Sequence, residues 1–290
     1  PKAKPPGDRD FEAVRRHGAR NRIRRRSGTC NRLVSATSNN VLRVVNAYDH
    51  QSRRIRKEVY TRADPTCNYE PVTCNSFLYD GWNVIRETIQ NPQSAITNYY
   101  TWGLDLSGTL QGAGGVGGLL AVTTLSTCNN QPVTCNTYYP LYDANGNVTS
   151  YLDQSGAVVA SREYDAFGNT VAMSGPQAGV FAYWFSTKYF DPETGLYYYG
   201  HRFYHPELGR WVNRDLLEER GGISLYAFID NDTLSVWDYL GQRAQGEHIN
   251  SKIRQHIIDY SQGEEVTLPY LQYFLGDPVG GRVCGFDLRS

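Results

Sequence analysis

The chain has 290 residues, with 29 basic and 29 acidic side chains, a formal net charge of zero, 28 glycines and a single methionine. The many glycines and the lone methionine argue against a helical bundle, and no apolar run of about 18 residues indicates a membrane span. The 22 tyrosines instead favour broad β-sheets with one wet face, because each ring buries area while its hydroxyl finds a partner.

The first residues differ in charge from the remainder. Residues 1–30 carry a net charge of +7 and residues 31–290 a net charge of −7. Because residues 1–30 are rich in Pro, Gly and Arg and poor in apolar residues, they are predicted to form a disordered basic arm. The run Arg20–Arg26 is either a patch for nucleic acid or an anionic surface, or a solvated linker. Since basic runs are a weak motif, the linker is favoured and no specific nucleic-acid partner is expected.

A series of β-hairpins is predicted from Val41 onwards. Alternating residues after Val41 lead to Tyr48-Asp49 and then to a second alternating strand, Arg54 to Tyr60. The same unit, with a Tyr-Asp pair before a turn, recurs in the phrases FLYDGWNVIRET, LYDANGNVTSYLD and EYDAFGNTVAMSG. Repeats of this length indicate an array in which each unit needs its neighbours to bury its face.

The aspartates of these units are interpreted as turn formers. Asp143 and Asp165 can accept backbone N–H groups across the turn, while Asn145-Gly146 and Gly168-Asn169 supply positive φ angles. A catalytic or calcium-binding role is the less favoured alternative.

A glycine run at Gly112–Gly118 superficially resembles a dinucleotide-binding loop. That interpretation needs a buried parallel strand before the run and a helix after it, and neither is evident. The run is therefore interpreted as a wide loop between strands, and no cofactor is expected.

Four of the six cysteines lie in a duplicated phrase, CNYEPVTCN and CNNQPVTCN. A hairpin centred on the proline could bring the ends of each phrase together, so disulfides between Cys67 and Cys74 and between Cys128 and Cys135 are candidates. Free thiols remain open as an alternative. Zinc is disfavoured by the long ligand spacing and the lack of a nearby His, so no metal site is expected. Cys30 and Cys284 are uninformative alone.

Closely spaced aromatic strands and turns fill the stretch from Asp191 to Gly241. Its ordered phrases resemble the RHS repeat-associated core of RHS/YD-repeat proteins, which occur in bacterial polymorphic toxins and insecticidal toxin complexes. The hairpin units resemble YD repeats. The phrases that carry the resemblance are TGLYY from Thr194, GHRFY from Gly200, PELGRW from Pro206, Gly221-Gly222, Leu225-Tyr226 and DYLG from Asp238.

This resemblance implies an all-β chain in which YD hairpins form part of a hollow β-cage around a C-terminal effector. The domains expected are the basic arm (1–30), YD/RHS repeats (31–175), the core (176–241) and a variable tail (242–290). The expected partners are the chain's own C-terminal segment, neighbouring RHS repeats and secretion-system components. A secreted or cell-surface location follows, and the chain is expected to be a fragment whose remaining shell comes from further repeats.

The resemblance also implies an autoproteolytic site of the aspartic protease kind. The matching positions are Arg214-Asp215 and Asp238, with cleavage near Gln242. Two carboxylates that share a proton can activate water or polarise a peptide carbonyl. The chain departs from the family pattern because Leu216 and Tyr239 replace prolines and Gln242 replaces a leucine.

Isoleucines at helical spacing predict a short amphipathic helix from Ile249 to about Tyr260, in a tail more suited to a cap or peptide than to an enzyme. Three functions therefore stand open. They are a structural shell that encloses or presents a C-terminal segment, a self-cleaving toxin that uses Asp215 and Asp238, and a carbohydrate-binding surface protein built on tyrosine-rich sheets.

Overall fold

The computed structural model describes residues 8–14, 20–27, 32–38, 41–64, 66–92, 94–128, 131–215, 225–229, 237–241 and 243–245. Apart from two single 3₁₀ turns, Phe185–Thr187 and Pro206–Leu208, the regular structure in these residues is antiparallel β-sheet, as predicted. None of the described helices is both long and apolar enough to cross a membrane. The predicted tail helix lies outside the described residues, and the predicted domain boundaries stay predictions.

A sheet of thirteen strands forms most of the described chain, and each strand pairs with the next one in sequence. This meander follows from the predicted hairpins, because most neighbouring strands are joined by a short turn. The strands are β1 (Asp8–Val14), β2 (Arg20–Ser27), β3 (Leu33–Ser38), β4 (Leu42–Tyr48), β5 (Arg54–Thr61), β6 (Glu70–Asp80), β7 (Asn83–Gln90), β8 (Ser94–Trp102), β9 (Leu119–Cys128), β10 (Gln131–Tyr142), β11 (Val148–Leu152), β12 (Val158–Tyr164) and β13 (Thr170–Ser174).

Two smaller sheets follow. A four-stranded sheet consists of β14 (Tyr189–Asp191), β15 (Leu196–Tyr198), β16 (Phe203–His205) and β17 (Arg210–Trp211). A two-stranded sheet consists of β18 (Trp237–Tyr239) and β19 (Arg243–Gln245).

The structure differs from the sequence-based expectation in the basic arm. Residues Asp8–Val14 and Arg20–Ser27 form a hairpin, and its second strand pairs with β3. The expectation of disorder rested on how little apolar surface this arm can bury. A hairpin added to a sheet edge gains backbone hydrogen bonds from the adjacent strand and depends less on such burial.

The aspartates of the YD hairpins form the turns, which confirms their interpretation. One carboxylate oxygen of Asp143 accepts the N–H groups of Asn145 and Asn147, each at 2.9 Å. Asp165 accepts those of Phe167 and Asn169, also at 2.9 Å each. Each carboxylate therefore satisfies two turn donors that would otherwise need water.

The tyrosines of the same hairpins share a role that the sequence did not reveal. Each lies at or next to the end of its strand, and its hydroxyl donates to the carbonyl oxygen of the first residue of the preceding strand. The pairs are Tyr48 with Leu33 (2.8 Å), Tyr79 with Arg54 (2.8 Å), Tyr142 with Leu119 (2.5 Å) and Tyr164 with Val148 (2.7 Å). A buried hydroxyl thus closes each repeat onto the one before it.

An aromatic core lies between the large sheet and the four-stranded sheet. Tyr151 of β11 stacks on Phe181 with ring centroids 3.8 Å apart, and Tyr204 of β16 stacks on Phe228 at 3.9 Å. Edge-to-face contacts such as Phe77 with Tyr189 join strands of the two sheets. The core therefore packs the four-stranded sheet against one face of the meander.

A buried ionic network joins the same two sheets. Arg54 and Lys57 of β5 both contact the carboxylate of Asp191 in β14, at 2.6 and 3.2 Å. Lys57 also contacts Glu193 at 3.2 Å. Paired charges can be buried in this way, whereas a single unpaired charge could not. The network fixes where the four-stranded sheet sits.

Candidate functional site

The two carboxylates predicted from the resemblance come together on one guanidinium. Asp215 follows β17 and Asp238 lies in β18, and Arg202 donates to both, at 2.7 Å to Asp215 and 3.2 Å to Asp238. Asp238 is buried and Asp215 is partly buried. The third predicted residue, Arg214, is exposed. The cation between the two acids is therefore Arg202, a residue that sequence reasoning did not select.

Arg202 is held rigidly in this position. Its side chain is 3% exposed, and its guanidinium lies 4.2 Å from the ring centroid of Trp211. Burial lowers the pKa of Arg202, while the charges of Asp238 and Asp215 oppose that shift. The guanidinium keeps its charge and compensates both acids, because arginine stays protonated at any ordinary pH.

The same arginine holds the backbone where the chain leaves β18. Its Nε donates to the carbonyl oxygen of Gly241, and the N–H of His201 donates to the carbonyl oxygen of Leu240 at 2.9 Å. Gly241 has φ +72°, and a Cβ there would lie 3.1 Å from both the backbone nitrogen and Cβ of Arg202. Only glycine fits this turn without strain. We call Arg202, Asp215, Asp238 and Gly241 the clasp.

A glycine loop reaches the clasp from the large sheet. Residues 103–118 connect β8 to β9, so the glycine run is a loop between strands, and Asp105 accepts the N–H groups of Ala113 (2.7 Å) and Gly115 (3.0 Å). Lys188 donates to the carbonyl oxygen of Gly114 at 2.5 Å. A Cβ at Gly114 would lie 3.3 Å from the backbone nitrogen of Leu240. The lack of a side chain at Gly114 thus lets the backbone of the loop approach the backbone of Leu240 closely.

Lys188 is a second buried cation beside the clasp. Burial lowers its pKa to about 8, and the charges of Asp238 and Asp105 oppose the shift. A cavity of about 40 Å³ adjoins it, with Trp82, Tyr199 and Leu240 among its walls. That volume holds a water molecule or two but no organic cofactor. The one sequence feature that could have indicated this site is Asp105, an acid that precedes the glycine run.

The predicted disulfides are not formed in this structure, where Cys67, Cys74 and Cys135 are free. Cys135 of β10 pairs with Leu125 of β9. Cys128 is three residues further along that strand, which is about 10 Å. Cα atoms more than about 7 Å apart cannot be bridged without backbone movement. Pro132 lies inside β10 and not at the turn, which is why the expected geometry does not arise. Disulfide pairing stays a prediction.

Tyrosines that could stack on sugars are scarce on the described surface. Of the tyrosines whose side chains are described, only Tyr99 and Tyr139 are exposed, at 44% and 45%. They lie on β8 and β10, with β9 between them. Most of the other tyrosines serve the core or the repeat contacts, so the tyrosine content does not by itself indicate a carbohydrate site.

Comparisons with known proteins agree with this architecture. A family model described as Teneurin YD-shell matches residues 131–232. Toxin subunit YenC1 of Yersinia entomophaga is 36% identical over 90 residues, which cover 30% of this chain and 9% of that protein. Double-stranded DNA deaminase toxin A of Burkholderia cenocepacia is 25% identical over 280 residues, covering 92% of this chain and 18% of that protein.

Two further similarities extend the comparison. The tRNA3(Ser)-specific nuclease WapA of Bacillus spizizenii is 29% identical over 192 residues, covering 64% of this chain and 7% of that protein. The crystal structure of TcdB2-TccC3-TEV aligns with a TM-score of 0.59 at 21% identity, covering 76% of this chain and 10% of the other, and shows the shared fold. The chain spans less than a fifth of the length of toxin subunit YenC1, of the deaminase toxin and of the nuclease WapA.

Proposed function

We propose a function for this chain from the premise that it is an RHS/YD-repeat protein. Its role is structural, as part of a β-shell built from YD hairpins and closed onto an aromatic core. The finer proposal is that this shell segment encloses or presents the C-terminal segment that follows the clasp. The observation that carries it is the bond from Arg202 to the carbonyl of Gly241, which anchors the chain to the core just before that segment.

The clasp can serve as an anchor because its stability depends on the presence of each of its residues. Arg202 and Asp238 are both almost fully buried, so removing one partner leaves an uncompensated charge inside the protein. The positive φ at Gly241 fixes the direction in which the backbone departs.

Limited proteolysis of the purified full chain tests enclosure. The proposal predicts that cuts within residues 246–290 occur at least about tenfold more slowly in the chain than in a free peptide of the same residues, because a protected site is cut only in proportion to its open population. The Arg202→Gln variant should lose this protection, while Arg86→Gln, at an exposed position on β7, should keep it. Equal cutting rates in chain and peptide would contradict enclosure.

Self-cleavage is the second candidate function, and the arrangement of Asp215, Asp238 and Gly241 favours it. Both carboxylates and the Gly241 carbonyl bind one guanidinium, so the acids and a peptide bond close to the predicted cleavage point share one small site. A donor on a carbonyl oxygen can stabilise the negative charge that develops there during hydrolysis. Arg202 also compensates both acids, so a shared proton of the aspartic protease kind would require it to move.

Intact mass separates the two candidates. Self-cleavage predicts that the wild-type chain splits near Gln242, and that Asp215→Asn and Asp238→Asn stay whole. If all three stay whole, the carboxylates serve only to hold the clasp and the scaffold function stands alone. Arg86→Gln is the control, because Arg86 is exposed on β7 and is not one of the predicted site residues, so its loss should not change the outcome.

The partners and location of the chain are part of the same proposal. Relatives that bear the names of toxins and toxin subunits support association of this shell with neighbouring RHS repeats, with other toxin subunits and with its own C-terminal segment as cargo. Secretion-system components are a further proposed partner. A secreted or cell-surface location fits that cargo role.

A further inference from the structure

Arg162 of β12 is a buried cation without an acidic partner. The residue is 6% exposed, and its guanidinium lies 4.2 Å from the ring centroid of Trp184 and 5.1 Å from that of Phe190. Within the described part of the chain no carboxylate pairs with it, whereas Arg54 and Arg202 each bind an acid. Aromatic faces attract a guanidinium, but they do not replace the oxygen acceptors that its N–H groups would have in water.

Two of the three guanidinium nitrogens of Arg162 lack an acceptor. Nε and Nη1 have no hydrogen-bond partner among the described residues, and Nη2 donates to the sulfur of Met173 at 3.4 Å. Burial raises the pKa of Tyr197 to about 12 against the opposing charge of Arg162, so these side chains are neighbours, yet the Tyr197 hydroxyl also lacks a well-aligned partner. A thioether is a weak acceptor, and a buried charged donor without a good acceptor is destabilising. Arg162 therefore lacks a strong oxygen acceptor.

Met173 is the one acceptor of Arg162 that a small oxidant can change. It is the only methionine of the chain, and the residue is 53% exposed. It lies in β13 opposite Arg162 in the strand register, and its sulfur contacts the buried guanidinium. One side chain is thus open to solvent and in contact with a cation that lacks an oxygen partner.

We propose that Met173 is a site of oxidation by peroxides, and that Arg162 binds the oxygen of the resulting sulfoxide. In this step a lone pair of the sulfur attacks one oxygen of hydrogen peroxide, the O–O bond breaks, and an S–O bond forms while the second oxygen leaves as water. The sulfur loses two electrons and the peroxide gains them. Because the side chain is half exposed, it can move outward by one bond length and leave the new oxygen facing the guanidinium.

The expected consequence is the reverse of the usual effect of methionine oxidation. A sulfoxide in a packed core disrupts that core, because a polar group replaces an apolar one. Here the sulfoxide replaces a weak acceptor with a strong one beside a charged donor, and charge-assisted hydrogen bonds are among the strongest in proteins. Oxidation should therefore hold β13 more firmly to β12. The proposal does not depend on the clasp or on the fate of the C-terminal segment.

Peroxide treatment of the purified full chain tests the site. Mass spectrometry of the peptide that contains Met173 should show the gain of one oxygen, and the melting temperature of the chain should rise by at least about 2 °C. Met173→Leu, treated alike, shows what peroxide does to the cysteines and other side chains, and its change is subtracted. Methionine sulfoxide reductases should return the wild type to its original melting temperature. In Arg162→Gln the oxidation should proceed, but the rise in melting temperature should disappear.

A pair of variants tests the binding of oxygen without any oxidant. Glutamine has a side chain similar in length to that of methionine and ends in an amide oxygen, whereas leucine offers no acceptor. Met173→Gln should therefore melt at least about 2 °C above Met173→Leu. Val171, which is 64% exposed on the same strand, provides the control, and Val171→Gln and Val171→Leu should melt alike.

Three results would overturn the proposal. If Met173 stays unmodified at peroxide concentrations that oxidise free methionine, it is not an oxidation site. If oxidation of Met173 fails to raise the melting temperature, or raises it equally in Arg162→Gln, then Arg162 does not bind the oxygen. If Met173→Gln melts no higher than Met173→Leu, the guanidinium gains nothing from an oxygen acceptor at this position.

Discussion

Arg54 of β5 lies 2.6 Å from the carboxylate of Asp191 in β14, and the two side chains are 1% and 2% exposed. The guanidinium also lies over the rings of Tyr189 and Tyr198, at 4.8 and 4.6 Å from their centroids. One ion pair, enclosed by aromatic rings, therefore joins the thirteen-stranded sheet to the four-stranded sheet. Because both side chains are buried, breaking this ion pair should lower stability more than breaking a surface ion pair of the same strand.

Asp191→Asn removes the negative charge that Arg54 and Lys57 share. Leaving a buried cation without its partner should lower the free energy of unfolding by about 3–5 kcal/mol, measured by urea denaturation. Arg56→Gln breaks the exposed pair with Glu58 on the same strand and should lower the free energy of unfolding far less, because exposed ion pairs contribute little. Equal costs for the two variants would show that the Asp191 network does not hold the sheets together.

Tyr164→Phe tests the contact that closes each repeat onto its predecessor. The change removes the hydroxyl that donates to the carbonyl of Val148, so the free energy of unfolding should fall by about 1 kcal/mol. Tyr139→Phe alters an exposed tyrosine and should change it by less than about 0.5 kcal/mol. A Tyr164 variant as stable as wild type would mean that the repeat tyrosines act through their rings alone.

Gly168→Ala and Gly156→Ala form a matched pair. Both glycines have positive φ, +79° and +85°, so both variants pay the same backbone strain, about 1 kcal/mol. A Cβ at Gly168 would lie 2.5 Å from the ring of Phe185, whereas one at Gly156 meets nothing within 4 Å. The free energy of unfolding of Gly168→Ala should therefore fall by about 1–3 kcal/mol more than that of Gly156→Ala, measured by thermal denaturation. Equal losses would mean that the ring moves aside freely.

The stability of the chain should depend on pH through His201. Burial, together with the charge of Arg202, lowers the pKa of His201 to about 4, below its ordinary 6.5. Between these values the unfolded chain binds more protons than the folded one, so the free energy of unfolding falls as the pH is lowered from 6.5 to 4. Since the ring is partly exposed, solvent screening limits the loss to about 1 kcal/mol.

Urea denaturation at several pH values measures this effect. The fall in unfolding free energy between pH 6.5 and pH 4 should disappear in His201→Gln. Above pH 6.5 the titration of His201 should make no difference to stability. His50→Gln, at an exposed turn residue, serves as the control and should leave the slope in place. If the free energy of unfolding of His201→Gln depends on pH as that of the wild type does, other groups cause the pH dependence.

Local features of the chain were predictable because their partners lie nearby in sequence. The aspartate of each YD unit binds N–H groups two and four residues later, so a turn phrase such as DANGN contains the whole interaction. Alternation between strands and turns likewise predicted the meander. The arm was the exception, because β2 gains its place from pairing with β3, which no property of the arm alone indicates.

Distant partners could not be predicted in the same way. Arg54 and Asp191 are 137 residues apart, and Arg202 reaches Asp215 and Asp238 over 13 and 36 residues. The family resemblance suggested Arg214-Asp215 and Asp238 for the site. In the structure Arg214 is exposed, and Arg202, which lies just ahead of β16, reaches both acids. Arg202 lies 13 and 36 residues from these two acids, so nothing close to them in the sequence pointed to it.

Hydrogen exchange of residues 246–290 in the full chain, read by mass spectrometry, tests most directly whether the clasp holds an enclosed segment. The wild type and Arg86→Gln should protect this segment alike. Arg202→Gln and Gly241→Ala, the second of which keeps every charge, should exchange it at least about tenfold faster while β4 to β12 stay protected. If the segment exchanges at one rate in all four proteins, the clasp does not govern it and the proposal that this shell encloses its C-terminal segment is wrong.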